Sequence, residues 1–514
     1  MKRPQLVSRG ALDRMLQAAE EAWSKKDFSK NIELLKSANR MAPANVAILL
    51  QLGRVHGLCY EYDSAERWFE QAVRVAPRKV DALVAAGINS RDFSRSSLAE
   101  SYFERAVAEP GAPAEAFVRL AELFERVRRT DDAGKLIDRA LSLDRNFAPA
   151  LLARARLDRL AGRLQQAESA ARSCLAAGDR EMQIRGGYEL GAILDRQGRY
   201  DDAVAALLAA KGLLAPEAAA HAPRLQMLRE RLKVMKEMFT AEMLERWAAA
   251  AAELAPARRV ALLCGHPRSG TTLLEQVLDS HPDIVSAEET ETFHDYAYCP
   301  LIAAAPQSAY MPTVLESAGI PALRKSREDY FRVMELILGQ PIGGRLLIDK
   351  NPSLTFLVPA MVRVFPEIKL LVALRDPRDV CLSCFMQPFF PLGQTASAYL
   401  TFEGTADEYA ALMGVWTKIA PLLSGRFLEI RYEDLVDDLE AAAHRAMEFL
   451  GVAWDPTVLR FDEHARQKTV RSPTYADVTK PVFKTAVGRW KHYEKYLVPH
   501  LDKLAPFLKA FGYE

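Results

Sequence analysis

A chain of 514 residues is too long for one ordinary hydrophobic core, so two or more domains are expected. Its 68 Lys and Arg balance 67 Asp and Glu, and a formal charge of +1 leaves no bulk field to recruit nucleic acid or an anionic membrane. The six cysteines are scattered and do not form a secreted disulfide framework, and no run of about eighteen apolar residues offers a transmembrane segment.

The N-terminus, MKRPQLVSRGALDRML, carries Lys2 and Arg3 but no apolar stretch of signal-peptide length. The alanine run 248–252 is short and flanked by Arg246 and Glu253. A reducing, cytoplasmic setting is expected.

From about Leu12 the chain repeats. Pro43 and Pro77 stand 34 residues apart, which is the tetratricopeptide period. Between them Leu52-Gly53 falls in one predicted helix, and Ala65, Phe69 and Ala72 fall in the next. The same small-large-small set recurs as Ala99, Phe103, Ala106, then Ala133, Ile137, Ala140, then Ala167, Ala171, Cys174, and last Ala203, Leu207, Ala210. A weaker first copy ends Leu35, Ala38, Pro43. Small residues let antiparallel helices approach, and the large one fills the gap to the next pair. About six units are expected over 12–216, stacked as a solenoid because no single pair buries its apolar face alone. Such a surface binds a peptide or protein, or serves as a dimerisation device, so a homodimer stays open. Among Tyr60, Tyr62, Trp68 and Phe69, only Phe69 holds a packing position and is read as core.

Residues 217–257 read as a helical connector. Leu225, Leu228, Leu232, Met235 and Met238 recur at three- and four-residue steps, and Pro256 closes the segment.

The remainder, 258–514, has an α/β pattern. Val260-Ala-Leu-Leu-Cys264 suits a buried strand, Gly265-His-Pro-Arg-Ser-Gly270 a compact loop, and Thr271–Ser280 an amphipathic helix. Strand, glycine-bearing loop and helix make a phosphate cradle, with backbone N–H groups and the helix dipole facing an anion. The spacing is that of a P-loop, but Thr271-Thr272 replaces Lys-Ser/Thr. The absent lysine argues against an ordinary ATPase or GTPase, and Arg268 supplies the fixed positive charge instead. Ser269, Gly270, Thr271 and Thr272 complete the cradle.

The stretch from Glu289 to Gln340 reads as irregular to helical. Three more apolar runs follow, Arg345–Asp349, Ile368–Leu374 and Arg426–Ile430. Each leads into a charged group: Lys350-Asn-Pro-Ser353, Arg375-Asp-Pro-Arg-Asp379 and Arg431-Tyr-Glu-Asp434. Apolar strands alternating with helices indicate a parallel sheet covered on both faces. Ligands gather beyond the carboxyl ends of such strands, which lines up Arg268, Lys350, Arg375 and Tyr432 along one rim. Cys381-x-x-Cys384 lacks a second pair at metal-ligand spacing and is read as two packed thiols on a helix, so no metal is expected.

PRSGTTLLEQVLDSHPDIVSAEET resembles the 5′-phosphosulfate loop of sulfotransferases, and most of all the protein-tyrosine sulfotransferase branch. LLVALRDPRDVCLSCF is similar to the 3′-phosphate segment of that family, with Arg375 and Ser383 at its two phosphate contacts. The tail from Arg471 through Gly488-Arg-Trp490 looks like its lid, with Arg489 as the basic residue before the tryptophan. The likeness covers about 260–496. It implies 3′-phosphoadenosine 5′-phosphosulfate (PAPS) as donor and a P-loop-like three-layer fold behind the solenoid.

The resemblance also assigns roles. Arg268 would hold the 5′-phosphate, Lys350 would stand beside the bridging oxygen, Ser472 would assist the same leaving group, and Glu289 would be the base. Glu288 and the histidines His266, His281 and His294 remain alternatives for the base, although His281 before Pro282 fits a helix terminator. Two departures stand out: Glu291 replaces a basic residue near the acceptor, which argues against an acidic tyrosine peptide, and Gln387 replaces an arginine of the nucleotide site. The expectation is a cytoplasmic PAPS-dependent sulfotransferase whose solenoid presents the acceptor, or a partner carrying it, with a peptide tyrosine, a sugar, a lipid and a small phenol all open as acceptor. A phosphotransferase on the same fold and a non-catalytic scaffold are the competing readings.

Overall fold

The computed structural model describes residues 9–303, 309–389, 391–423, 425–467 and 484–513. The chain forms two compact units that meet in sequence at Glu189 and Leu190.

Helical pairs follow one another from Arg9–Ser24 with Phe28–Met41 to Arg180–Arg196 with Tyr200–Leu213, six pairs among the described residues. The small-large-small positions are buried in each: Phe69 and Phe103 are 1% and 0% exposed, and Ala99, Ala106, Ala133 and Ala140 are fully covered. A Cβ on Gly53 would lie 2.2 Å from the Phe69 ring, and one on Gly87 2.5 Å from the Phe103 ring. The first helix of a pair therefore presses its backbone against the large residue of the second.

The period also appears in the backbone. Lys26, Tyr60, Ser94, Arg128, Gly162 and Gly198 all have positive φ, 34 residues apart with a last step of 36. Each ends the turn inside a pair. A side chain at a left-handed position costs about 1 kcal/mol, so four of these turns are mildly strained. In the first unit the leading helices share an ion-pair ladder: Glu122 meets Arg119 at 3.1 Å, Arg185 at 3.5 Å and Arg91 at 3.8 Å.

The second unit is built on five parallel strands: β1 (Val260–Gly265), β2 (Ile284–Glu288), β3 (Leu346–Lys350), β4 (Lys369–Leu374) and β5 (Phe427–Arg431), in spatial order β2-β3-β1-β4-β5. Ala261, Leu263, Leu371 and Ala373 pack on Leu274 and Leu278 of helix Thr271–Asp279 and on Ala442 and Ala446 of helix Leu439–Leu450. The alternate residues Leu262, Cys264, Leu370 and Val372 are fully buried too, so both faces are covered, as parallel strands require. Each run read as a strand is found within one residue, while β2 at the edge was not anticipated. The connector is helical, Ala215–Met238 then Ala241–Ala249, with Leu225, Leu232 and Met235 buried.

Candidate active site

The loop after β1 is held at its first residue. Gly265 donates its N–H to the Thr355 hydroxyl at 2.9 Å, and that hydroxyl donates to the Gly265 carbonyl at 2.6 Å. Arg268 sits at φ +75 and Gly270 at φ +96. A Cβ on Gly270 would lie 2.6 Å from Cδ2 of Tyr432, so the tyrosine ring lies directly against the loop and only glycine fits. Helix Thr271–Asp279 starts here, with its leading N–H groups lacking intrahelical partners. Ser269, Thr271 and Thr272 are all buried, and Ser269 Oγ has no hydrogen-bond partner among the described residues.

A further cation closes in from the end of β4, whose Ala373 pairs with Gly265 of β1. Arg375 donates from Nη1 to the Arg268 carbonyl at 3.3 Å and from Nη2 to the Ala486 carbonyl, and its guanidinium lies 4.8 Å over the Tyr432 ring. Its buried Nε has no hydrogen-bond partner among the described residues. Arg268 in turn donates from Nε to Ser383 Oγ at 3.1 Å. Arg268, Ser383, Arg375 and Tyr432, which come from three separate strand ends, thus form one contiguous group. Asp376 caps helix Pro377–Met386 and pairs with Arg378 at 2.7 Å.

Lys350 ends β3 with its side chain fully buried. Its ammonium lies 2.7 Å from Glu289, 3.4 Å from Glu288 and 3.4 Å from the Thr272 hydroxyl. Burial pushes its pKa down, but Glu275, Glu289 and Glu288 push it up harder, so it stays a firm cation. Glu289 has φ +49, its N–H donates to the Lys350 carbonyl at 2.7 Å, and its side chain is 44% exposed against 8% for Glu288. The more open carboxylate is therefore the one in contact with the lysine at shorter range. Strain at Arg268 and Glu289 places two of the six non-glycine positive-φ residues among the described ones at this site.

Arg489 is held by Asp195 at 2.5 Å and by the Met386 sulfur at 3.3 Å, one helical turn beyond Ser383. Ser472, like the whole stretch 468–483, lies outside the described residues.

The histidines are engaged elsewhere. His266 is 1% exposed, packs 4.9 Å from the Tyr409 ring, and is pushed down to about 4 by burial. His281 uses both ring nitrogens, on the Ala453 carbonyl and the Asp283 N–H, which terminates its helix. His294 pairs with Asp295 at 2.8 Å. Among the described residues only His294, Asp295 and Cys299 lie close enough together to share an ion. Cys381 and Cys384 are free and buried, and burial lifts the Cys384 thiol to about 12.

Sequence reasoning missed Thr355, Glu275 and Asp195. Glu275 had a signal: a carboxylate in phase with the apolar stripe of its helix, one turn from Leu278. Thr355 and Asp195 had none, because their partners lie far away along the chain.

Residues 261–456 match a family model described as "Sulfotransferase family". The chain is 28% identical over 265 residues to protein-tyrosine sulfotransferase 2 of Gallus gallus, covering 49% of this chain and 68% of that one. It is 26% identical over 333 residues to an uncharacterized protein of Aquifex aeolicus, covering 62% of this chain but only 41% of that one. The sulfotransferase domain from the Synechococcus PCC 7002 olefin synthase is 20% identical, with a TM-score of 0.34 over 46% of this chain and 88% of that one. No single helix among the described residues is long and apolar enough to cross a membrane.

Proposed function

We propose that this chain, which carries a sulfotransferase-family domain at 261–456, moves a sulfuryl group from PAPS to an acceptor hydroxyl by in-line displacement. The observation that carries it is the linkage of Arg268, Ser383 and Arg375, at 3.1 and 3.3 Å, beside the first turn of a helix. Three features make the group suited to a nucleotide with phosphates at both ends. Arg375 Nε and Ser269 Oγ are buried donors without partners among the described residues. Arginines at two strand ends offer bidentate grip on phosphate at any working pH. The loop lacks the lysine that serves a nucleoside triphosphate.

In this mechanism PAPS supplies the activated sulfuryl group. Arg268 and the N–H groups of Gly270–Thr272 bind the 5′-phosphate. Arg375, Ser383 and Arg489 bind the 3′-phosphate, and Tyr432 covers the loop. Lys350 places its charge where negative charge grows on the departing phosphate. Glu289, 2.7 Å from that lysine and open to solvent, takes the proton from the acceptor hydroxyl. Ser472 is assigned to the same leaving group by resemblance. With Glu291 beyond the base, a strongly acidic acceptor would be repelled. The solenoid over about 12–216 would recruit the acceptor or a partner carrying it, ahead of a connector to 257 and the transferase domain from 258.

Incubation of the full chain with radiolabelled PAPS and a panel of phenols, sugars and tyrosine peptides tests this. Label is expected on at least one acceptor, with release of adenosine 3′,5′-bisphosphate. No transfer and no hydrolysis, with transfer from ATP instead, would overturn it.

A further inference from the structure

The C-terminal segment that carries Arg489 is gripped from two sides. On one side, Asp379 of helix Pro377–Met386 accepts from the N–H groups of Gly488 at 2.7 Å and Trp490 at 2.8 Å, and Arg378 lies 4.0 Å over the Trp490 ring. On the other side are the last repeat helices. Asp195 pairs with Arg489 and accepts the Tyr493 hydroxyl at 2.6 Å. Tyr200 stacks on His492 at 4.5 Å, and Asp201 accepts from Lys495 at 2.8 Å and Tyr496 at 3.0 Å. Lys211, from the same helical pair, donates to the Tyr399 carbonyl at 2.6 Å and lies 4.3 Å over Phe385, two residues beyond Ser383. The compact unit that holds the sheet accordingly begins at Leu190, inside the repeat pattern.

We propose that Asp195 is a positioning residue for the nucleotide's 3′-phosphate, and that the helical pair ending at Leu213 is therefore part of the donor site rather than of the recruiting surface. Both polar contacts of the Arg489 side chain among the described residues run through Nη2. The Nε–Nη1 edge is left for a bidentate grip on phosphate, and the carboxylate sets the direction in which that edge points. Without Asp195 the guanidinium would keep its charge but lose that fixed orientation. This inference rests on the donor assignment above.

The test is calorimetric titration of the full chain with adenosine 3′,5′-bisphosphate and with adenosine 5′-phosphate, taking the ratio of the two affinities as the preference for the 3′-phosphate. Asp195→Ala is expected to cut that preference about tenfold, the scale of one charge-assisted contact, while 5′-phosphate affinity holds. The donor KM should rise with kcat changing less. Tyr493→Phe removes the other bond to Asp195 but leaves the Arg489 pair, and should keep the preference within about twofold. If Asp195→Ala does not fold, Asp195→Asn serves, with a smaller loss expected. An unchanged or increased preference in the folded variant, or an equal loss in Tyr493→Phe, would overturn the inference alone. A wild-type chain with no preference for the bisphosphate would overturn the donor assignment and the inference with it.

Discussion

The pair Lys350–Glu289 makes a sharp prediction because its two ends sit in unlike surroundings. Glu289 is 44% exposed, so its 2.7 Å contact with Lys350 is screened by water and stabilises the fold by about 1 kcal/mol at most. Lys350 is 0% exposed and also neutralises Glu288 at 3.4 Å and the buried Glu275. Replacing it by Met leaves buried carboxylates without their cation, at a cost of about 3–5 kcal/mol. Glu289→Gln should therefore leave the denaturation midpoint nearly unmoved, yet cut turnover by ~10²–10⁴, the usual worth of a general base. Lys350→Met should lose both stability and turnover. Urea denaturation, initial rates with PAPS, and titration with adenosine 3′,5′-bisphosphate separate the terms, since Glu289→Gln should bind the bisphosphate as the wild type does. Two results would refute the reasoning. One is Glu289→Gln turning over within about threefold of wild type while Glu288→Gln is inactive, which moves the base. The other is Lys350→Met proving no less stable than Glu289→Gln, which means the carboxylates are not held by that cation.

Other outcomes follow from single sites. Gly270→Ala places a Cβ 2.6 Å from Tyr432 at φ +96, so bisphosphate affinity by calorimetry should fall by at least about tenfold while the solenoid stays folded by circular dichroism. Ser94→Gly relieves a left-handed residue at φ 60 and should stabilise the repeat array by about 0.5–1 kcal/mol in urea; an unchanged midpoint would deny the strain. Burial lowers the Lys211 pKa from 10.5 to about 7, partly opposed by Cys384. Between those values the unfolded chain binds the extra proton, so this lysine makes stability rise as pH climbs from about 7 toward 10.5. Lys211→Met should flatten that rise relative to wild type and be the more stable protein at neutral pH, unless the Tyr399 contact outweighs the burial, in which case the variant will be weaker throughout and the explanation fails.

How much was legible in the chain depended on whether the signal was local. The repeat showed because helix packing demands the same small and large residues every 34 positions. Its turns were harder to see: Gly162 and Gly198 mark the left-handed residue, but Lys26, Tyr60, Ser94 and Arg128 occupy the same position without marking it. Four strands were visible as apolar runs, three of them buried on both faces and the edge strand Phe427–Arg431 half-buried. The fifth, Ile284–Glu288, contains Ser286 and Glu288 and is a strand because β3 pairs with it in register, which is tertiary information. That Arg268, Lys350, Arg375 and Tyr432 share one rim followed from strand alternation, but their order along it did not: the sheet order β2-β3-β1-β4-β5 sets Lys350 on one side of Arg268 and Arg375 and Tyr432 on the other. The hold on Arg489 was invisible, since Asp195 lies in a repeat helix whose pattern announces only packing.

The most direct test of the account is titration of the full chain with adenosine 3′,5′-bisphosphate beside ATP with magnesium. The arrangement of Arg268, Ser383 and Arg375 predicts that the bisphosphate binds at least about tenfold tighter. Tighter binding of ATP with magnesium would contradict it.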